Sequence, residues 1–175
     1  MSKFRSIAAI AVIPVASAML LSARADAHYV RPTHNGIVTA TKYYSNGSFH
    51  GAVDTGGGTC GSTSVSTAME GTLYWSVTIR TSSKVCYGNG SGNANEVRHA
   101  FSGGWTFRQY HFNKSGYSYS RSCNRCTIGT LGGTGNATGP HSHLQWDKYG
   151  TRNSSWWWVS KGQHVYTTNR MGYTN

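Results

Sequence analysis

The chain has 175 residues, with 16 Lys and Arg against only 5 Asp and Glu, and a formal charge of +11 at neutral pH. That length suits one domain, and no linker long enough to separate two folded domains, no repeat and no low-complexity tract interrupts it. A basic excess of this size attracts anionic partners over long range, although it also serves solubility with no specific partner.

The N-terminal stretch reads as an export signal. Lys3 and Arg5 precede an apolar run from Ile7 to Leu21, and Ala25-Asp26-Ala27 supplies a small-x-small cleavage site. The run is too short and wrongly flanked for a membrane span. The expected organisation is a signal peptide at 1–27 and one secreted, extracellular or periplasmic domain at 28–175. No second long apolar segment follows, so no stable membrane insertion is expected, and the domain is expected to be a monomer. Residues 28–175 carry thirteen basic residues against four acids, a balance of +9. Export makes nucleic acid the wrong partner for that charge and favours anionic wall polymers or membrane surfaces.

Beyond the signal no amphipathic helix is evident. Short runs rich in Val, Thr, Tyr and Trp alternate with Gly, Asn and Ser. Strands are expected at Gly36 to Tyr44, Ser64 to Met69, Gly71 to Arg80, Glu96 to Ala100 and Trp105 to Phe112. Four more are expected at Ile128 to Leu131, His141 to Trp146, Trp156 to Val159 and His164 to Thr168. Gly56-Gly57-Gly58 and Gly88-Asn89-Gly90 mark loops. The pattern predicts an all-β single domain of antiparallel sheets with long Gly-rich loops and very little helix. Trp156 and Trp158 would share one strand face and Trp157 the other, which argues for core packing rather than a flat carbohydrate platform.

Four cysteines, Cys60, Cys86, Cys123 and Cys126, suit two disulfides in an oxidising compartment. Three pairings are open to them, and the spacing alone selects none. Cys123-Asn-Arg-Cys126 lacks the second CxxC of a zinc ribbon and the βαβ setting of a redox motif, so a local structural bridge is expected there. The remaining pair would then be Cys60–Cys86.

The chemistry is concentrated in histidines and one acid. Asp54 follows His50 by four positions, in surroundings too rich in Gly and Val for a helix, so a loop or strand edge must bring them together. Gly139-Pro140-His141-Ser142-His143-Leu144-Gln145-Trp146 runs from a turn into an alternating strand. Period two places His141, His143 and Gln145 on one face, about 7 Å between the imidazoles, which suits one metal ligand beside one acid–base group. His111 lies between aromatics in Tyr110-His111-Phe112.

In order and spacing, His50-x-x-x-Asp54, Gln109-Tyr110-His111 and Thr138-Gly139-Pro140-His141-Ser142-His143 resemble the lysostaphin-like zinc endopeptidases. The lead-in Ile128-Gly129-Thr130-Leu131-Gly132-Gly133-Thr134-Gly135 is similar too. The resemblance implies a zinc cleft in which His50, Asp54 and His143 hold one Zn2+, leaving the open fourth position of a catalytic site. It implies His111 and His141 as the general base and stabilising pair, and Tyr44, six residues before His50, as a donor to the scissile carbonyl. The implied activity is hydrolysis of peptidoglycan peptides, in the cross-bridge or the stem, including Gly-containing ones. Two other functions share these residues: an inactive relative that binds the wall or regulates another hydrolase, and a broader extracellular protease. The chain departs from the family pattern at Ala52, at Ser142 between the last two histidines, and at Gln145 in place of an acid.

Overall fold

The computed structural model describes residues 28–173; the expected signal peptide, 1–27, lies outside the described residues. Thirteen strands form: β1 Tyr29–Val30, β2 Gly36–Ala40, β3 Ala52–Gly56, β4 Ser64–Ser66, β5 Leu73–Thr78, β6 Glu96–Ala100 and β7 Trp105–Tyr110. They continue with β8 Tyr119–Cys123, β9 Thr127–Thr130, β10 Ser142–Lys148, β11 Thr151–Asn153, β12 His164–Val165 and β13 Gly172–Tyr173. The only helical turn among the described residues is the 3-10 segment Ser102–Gly104. The domain is therefore all-β and antiparallel.

One large sheet organises it, in the order β12-β2-β3-β10-β7-β6-β5-β8. The strand β10 is its centre. Along one edge β7 pairs with His143 to Lys148; along the other, β3 pairs with Ser142 to Gln145 and β11 takes over from Trp146 to Lys148. Two small pairs, β4 with β9 and β1 with β13, complete the strands. Val38, Val53, Trp75, Val97, Phe107, Leu144 and Trp146 from the large sheet join Val65, Ile128, Leu131, Met69 and Met171 in one buried cluster. Each large apolar side chain so buried stabilises the fold by about 1.5–3 kcal/mol before entropic costs.

The expected strands largely form, with corrections. The strand expected at Gly36 to Tyr44 stops at Ala40, after a register shift between Val38 and Ala40. The chain then turns back on itself, with Tyr43 bridging to Phe49. The strand expected at Trp156 to Val159 is absent: Trp157 makes only an isolated bridge to Gly172. Packing of rings decides that segment instead. Trp156 stacks on Trp105 at 4.2 Å and meets Trp146 at 5.4 Å, while Trp158 stays 52% exposed. Core packing thus accounts for two of the three indoles. Five strands lie outside the expected ones, the short β1, β11 and β13 and the longer β3 and β8. The strand β3, Ala-Val-Asp-Thr-Gly, is buried at all five positions because it runs between β2 and β10. The strand β8, Tyr-Ser-Arg-Ser-Cys, is held by five registered pairs with β5.

The bridges are Cys60–Cys86 and Cys123–Cys126. The first ties the loop after β3 to the long segment between β5 and β6. That segment also bonds to the loop before β10, through Gly133 N–H to the Val85 carbonyl and Gly88 N–H to the Ala137 carbonyl. A covalent bridge therefore steadies one wall of the site.

Candidate metal centre

Three neighbouring strands bring the site together. Asp54 on β3 lies directly across from His143 on β10, and His143 lies across from Tyr110 on β7. The residue after Tyr110 is His111, and His141 stands just before β10, so both flank the row. His50 reaches it from the loop before β3 through Gly51, whose φ of +67° lies where residues with a Cβ are rarely placed. That turn closes the four-residue gap between His50 and Asp54, which belongs to an interior strand rather than to the sheet edge.

His50 Nε2, Asp54 Oδ1 and His143 Nδ1 form a triangle with sides of 3.2, 2.9 and 3.1 Å. Donors about 2.0–2.2 Å from a tetrahedral zinc stand ~3.3 Å apart, so this triangle matches one face of such a coordination shell. All three residues are buried. Burial alone would push the Asp54 carboxyl up, but the His143 and His50 rings against it outweigh burial and hold the group well below the usual carboxylate range. It is therefore an anion, as a ligand must be. A second grouping, His111, His141 and His143, shares one member with the first. The grouping that contains the carboxylate offers two nitrogens and an anionic oxygen, the donor set of a catalytic zinc site.

The second ring nitrogen of His50 and of His143 is fixed as well. His50 Nδ1 donates to the Thr41 carbonyl at 2.7 Å, leaving Nε2 for the triangle. His143 is held the other way round. Asp147 can only accept, so the Gln145 amide nitrogen donates to Asp147 Oδ1 at 2.6 Å and turns its oxygen toward His143 Nε2 at 3.0 Å. His143 Nε2–H then donates to Gln145 and leaves Nδ1 for the triangle. Arg108 closes the chain with ion pairs to Asp147 at 2.8 Å and Glu96 at 3.0 Å, and donates to the Tyr110 hydroxyl. Gln145, where the resemblance expects an acid, thus sits between His143 and the buried Asp147 carboxylate. Ser142, another departure, accepts from Thr33 Oγ1 at 2.8 Å.

His111 and His141 lie beside the triangle with their rings 4.6 Å apart. His111 Nδ1 donates to the Thr134 carbonyl and His141 Nδ1 to the Gly139 carbonyl, which leaves Nε2 of each ring for the site. Burial first, and the neighbouring His141 second, pull the His111 pKa down to about 3, so it is neutral at neutral pH. Its backbone has φ of +79°, a conformation costing about 1–3 kcal/mol that persists only where surroundings enforce it. They do so here: His111 N–H bonds to the Asn95 carbonyl, and its own carbonyl accepts from Thr134. Gly132 comes so close that a Cβ there would stand 2.6 Å from the His111 oxygen. The Gly-rich lead-in therefore exists to let two loops touch behind a histidine. The expected shared strand face holds for His143, Gln145 and also Asp147, while His141 lies outside the strand, its N–H bonded to Gly132.

Above these residues opens a cleft of about 670 Å³. Tyr44 and Asn46 line it together with Gly92, Asn136 and Thr138, and Tyr110 and Arg152 also reach its surface. Tyr44 belongs to the loop after β2, not to a strand, and its ring lies 4.4 Å from that of His50. Burial and the Asp54 charge raise its phenol pKa, so it remains a donor. Three contributors escape a reading of the sequence: Tyr110, Arg152 and the Arg108–Asp147 pair. For Asp147 a signal existed, since it continues the alternation of His143 and Gln145.

No family model and no curated protein matches the chain. Among solved structures it is similar to a zinc-containing peptidase from Vibrio cholerae, at 16% identity and a TM-score of 0.45 over 71% of this chain. The chain spans 37% of the length of that structure. It is also similar to pseudoalterin, a deep-sea protein described as an M23 metalloprotease, at 16% identity and a TM-score of 0.39, over 82% of this chain and 97% of that one.

Proposed function

We propose that this chain is an exported zinc-dependent endopeptidase of the lysostaphin-like kind that hydrolyses peptidoglycan peptides. The observation that carries the reading is the buried His50–Asp54–His143 triangle, with two further histidines beside it under an open cleft. In this reading the triangle holds the metal, and a bound zinc supplies Lewis acidity and a lowered pKa for water at its open position. His111, with Nδ1 held by the Thr134 carbonyl, takes the proton of the attacking water at Nε2 and passes it to the leaving amine. His141 and the Tyr44 phenol donate to the carbonyl oxygen as charge develops there. Asn46 on one side and Asn136 and Thr138 on the other offer polar groups to an extended peptide backbone.

Export and a wall substrate are supported by the leader-like residues 1–27, the two disulfides and the basic balance. No helix among the described residues is long and apolar enough to cross a membrane. The test is digestion of purified peptidoglycan beside casein and elastin by zinc-loaded protein, scored by new amino groups. Release from peptidoglycan alone is the expected result, and equal release from casein would make the chain a broad extracellular protease. If the basic surface recruits wall polymers, lysis of cells should fall as salt shortens the Debye length from ~30 Å at 0.01 M to ~8 Å at 0.15 M. Cleavage of a small neutral peptide should change much less.

A further inference from the structure

The described residues contain four acids, and three of them are taken by arginines. Glu70 pairs with Arg31 and Arg170, and Glu96 and Asp147 pair with Arg108. Arg125 spends its guanidinium on the Arg31, Pro32 and Thr67 carbonyls. Arg152 differs from all of these. It is exposed, it is the only Lys or Arg lining the cleft among the described residues, and it forms no ion pair there. Its one hydrogen bond to the described residues runs from Nη1 to the His50 carbonyl, at 2.8 Å.

That bond matters because it fixes the guanidinium while using only one of its five N–H donors. The backbone beneath is also fixed, since Arg152 lies on β11 in register with Asp147 of β10. The result is a cation fastened to the carbonyl of a proposed metal ligand, on the surface that a bound peptide would touch. Its charge reaches Tyr44, where it opposes the rise in the phenol pKa caused by burial and by Asp54. A planar fork held in this way matches a carboxylate better than a peptide carbonyl.

We infer that Arg152 is a carboxylate-binding subsite beside the metal centre, so that the protein selects peptides carrying a carboxylate close to the scissile bond over neutral glycine peptides. This rests on the peptidase reading and sharpens it, because a bare glycine cross-bridge offers Arg152 only backbone, whereas an acidic stem peptide offers a partner. The carboxylate comes either from an acidic side chain within the peptide or from a free C-terminus.

Three probes of equal length separate these cases: acetyl-pentaglycine amide, acetyl-pentaglycine with a free C-terminal carboxylate, and the amide with one Gly replaced by Glu. Each is given to the zinc-loaded wild type, Arg152→Gln and Arg152→Lys, with zinc content measured alongside. A hydrogen bond to a charged group corresponds to about 10–100-fold, so kcat/KM for one acidic probe should exceed that for the neutral probe by that factor in the wild type. The ratio should collapse to within about twofold in Arg152→Gln and recover in part in Arg152→Lys. Whichever acidic probe is favoured identifies the source of the carboxylate. A wild-type ratio near one, a ratio unchanged in Arg152→Gln, or loss of zinc from Arg152→Gln would overturn the inference, the last by making Arg152 a brace for His50. If no probe is cleaved, dissociation constants replace rates. A carboxylate preference abolished in Arg152→Gln would then uphold the subsite while the peptidase reading fails.

Discussion

The two faces of β10 are equally buried and held by opposite physics. Leu144 and Trp146 point into the apolar cluster, both fully buried, with the Trp146 ring 4.9 Å from that of Phe107. His143, Gln145 and Asp147, the alternate positions, are 6%, 6% and 2% exposed. Burial on the apolar face is stabilising in itself and non-directional. Burial on the polar face costs free energy unless polar groups find partners, and there hydrogen bonds link His143 to Gln145 and Gln145 to Asp147, with the Arg108 ion pair at the end. Alternation in a central strand therefore separates core from site rather than inside from outside.

Changes on the polar side at the reacting end should have the largest effect. His111→Ala and His141→Ala should each lower turnover by ~10²–10⁴-fold while zinc content stays at the wild-type level. If either lost the metal as completely as a ligand variant, the division between ligands and acid–base groups would be wrong. The apolar face should fail differently. Trp146→Ala should cost about 3–5 kcal/mol of stability, read from the urea midpoint, because it opens a cavity beside Phe107 and Trp156. A midpoint close to that of the wild type would show that this face is not the core of the fold.

Gln145→Leu sharpens the comparison, since it makes one site position apolar while nearly keeping its volume. His143 Nε2–H and Asp147 Oδ1 would lose their shared partner, and zinc affinity should fall by ~10–100-fold in competition with a chromogenic chelator. Asp147→Asn acts one link further away and should have a smaller effect. Unchanged zinc affinity in Gln145→Leu would mean that the buried polar chain serves folding alone.

Much of this site is legible in the amino-acid sequence because Asp54 and the four histidines fall in three short motifs on or beside the neighbouring strands β3, β7 and β10. The alternation after Pro140 marks β10, and the Gly-rich lead-in marks the loop that must pass close behind His111. The strand β3 is not legible, because Ala-Val-Asp-Thr-Gly has weak strand propensity and is extended by pairing on both sides. The Trp156–Trp158 run misleads in the other direction: aromatic residues with strand propensity are placed by ring packing instead. Arg152 gives no local sign of its role, since it reaches the cleft only because β11 takes over the edge of β10 where β3 ends. Tertiary placement of that kind leaves no periodicity to read.

The central claim is that His50, Asp54 and His143 hold one zinc that hydrolysis requires. Zinc per chain and peptide cleavage should be followed in one preparation through chelation and stepwise return of the metal, beside His143→Ala and Asp54→Ala. One zinc per chain is expected in the wild type, with cleavage lost on chelation and regained in proportion to the zinc restored. Neither variant should hold zinc tightly or cleave. Full hydrolysis by the metal-free wild type, or tight zinc binding by either variant, would contradict the account.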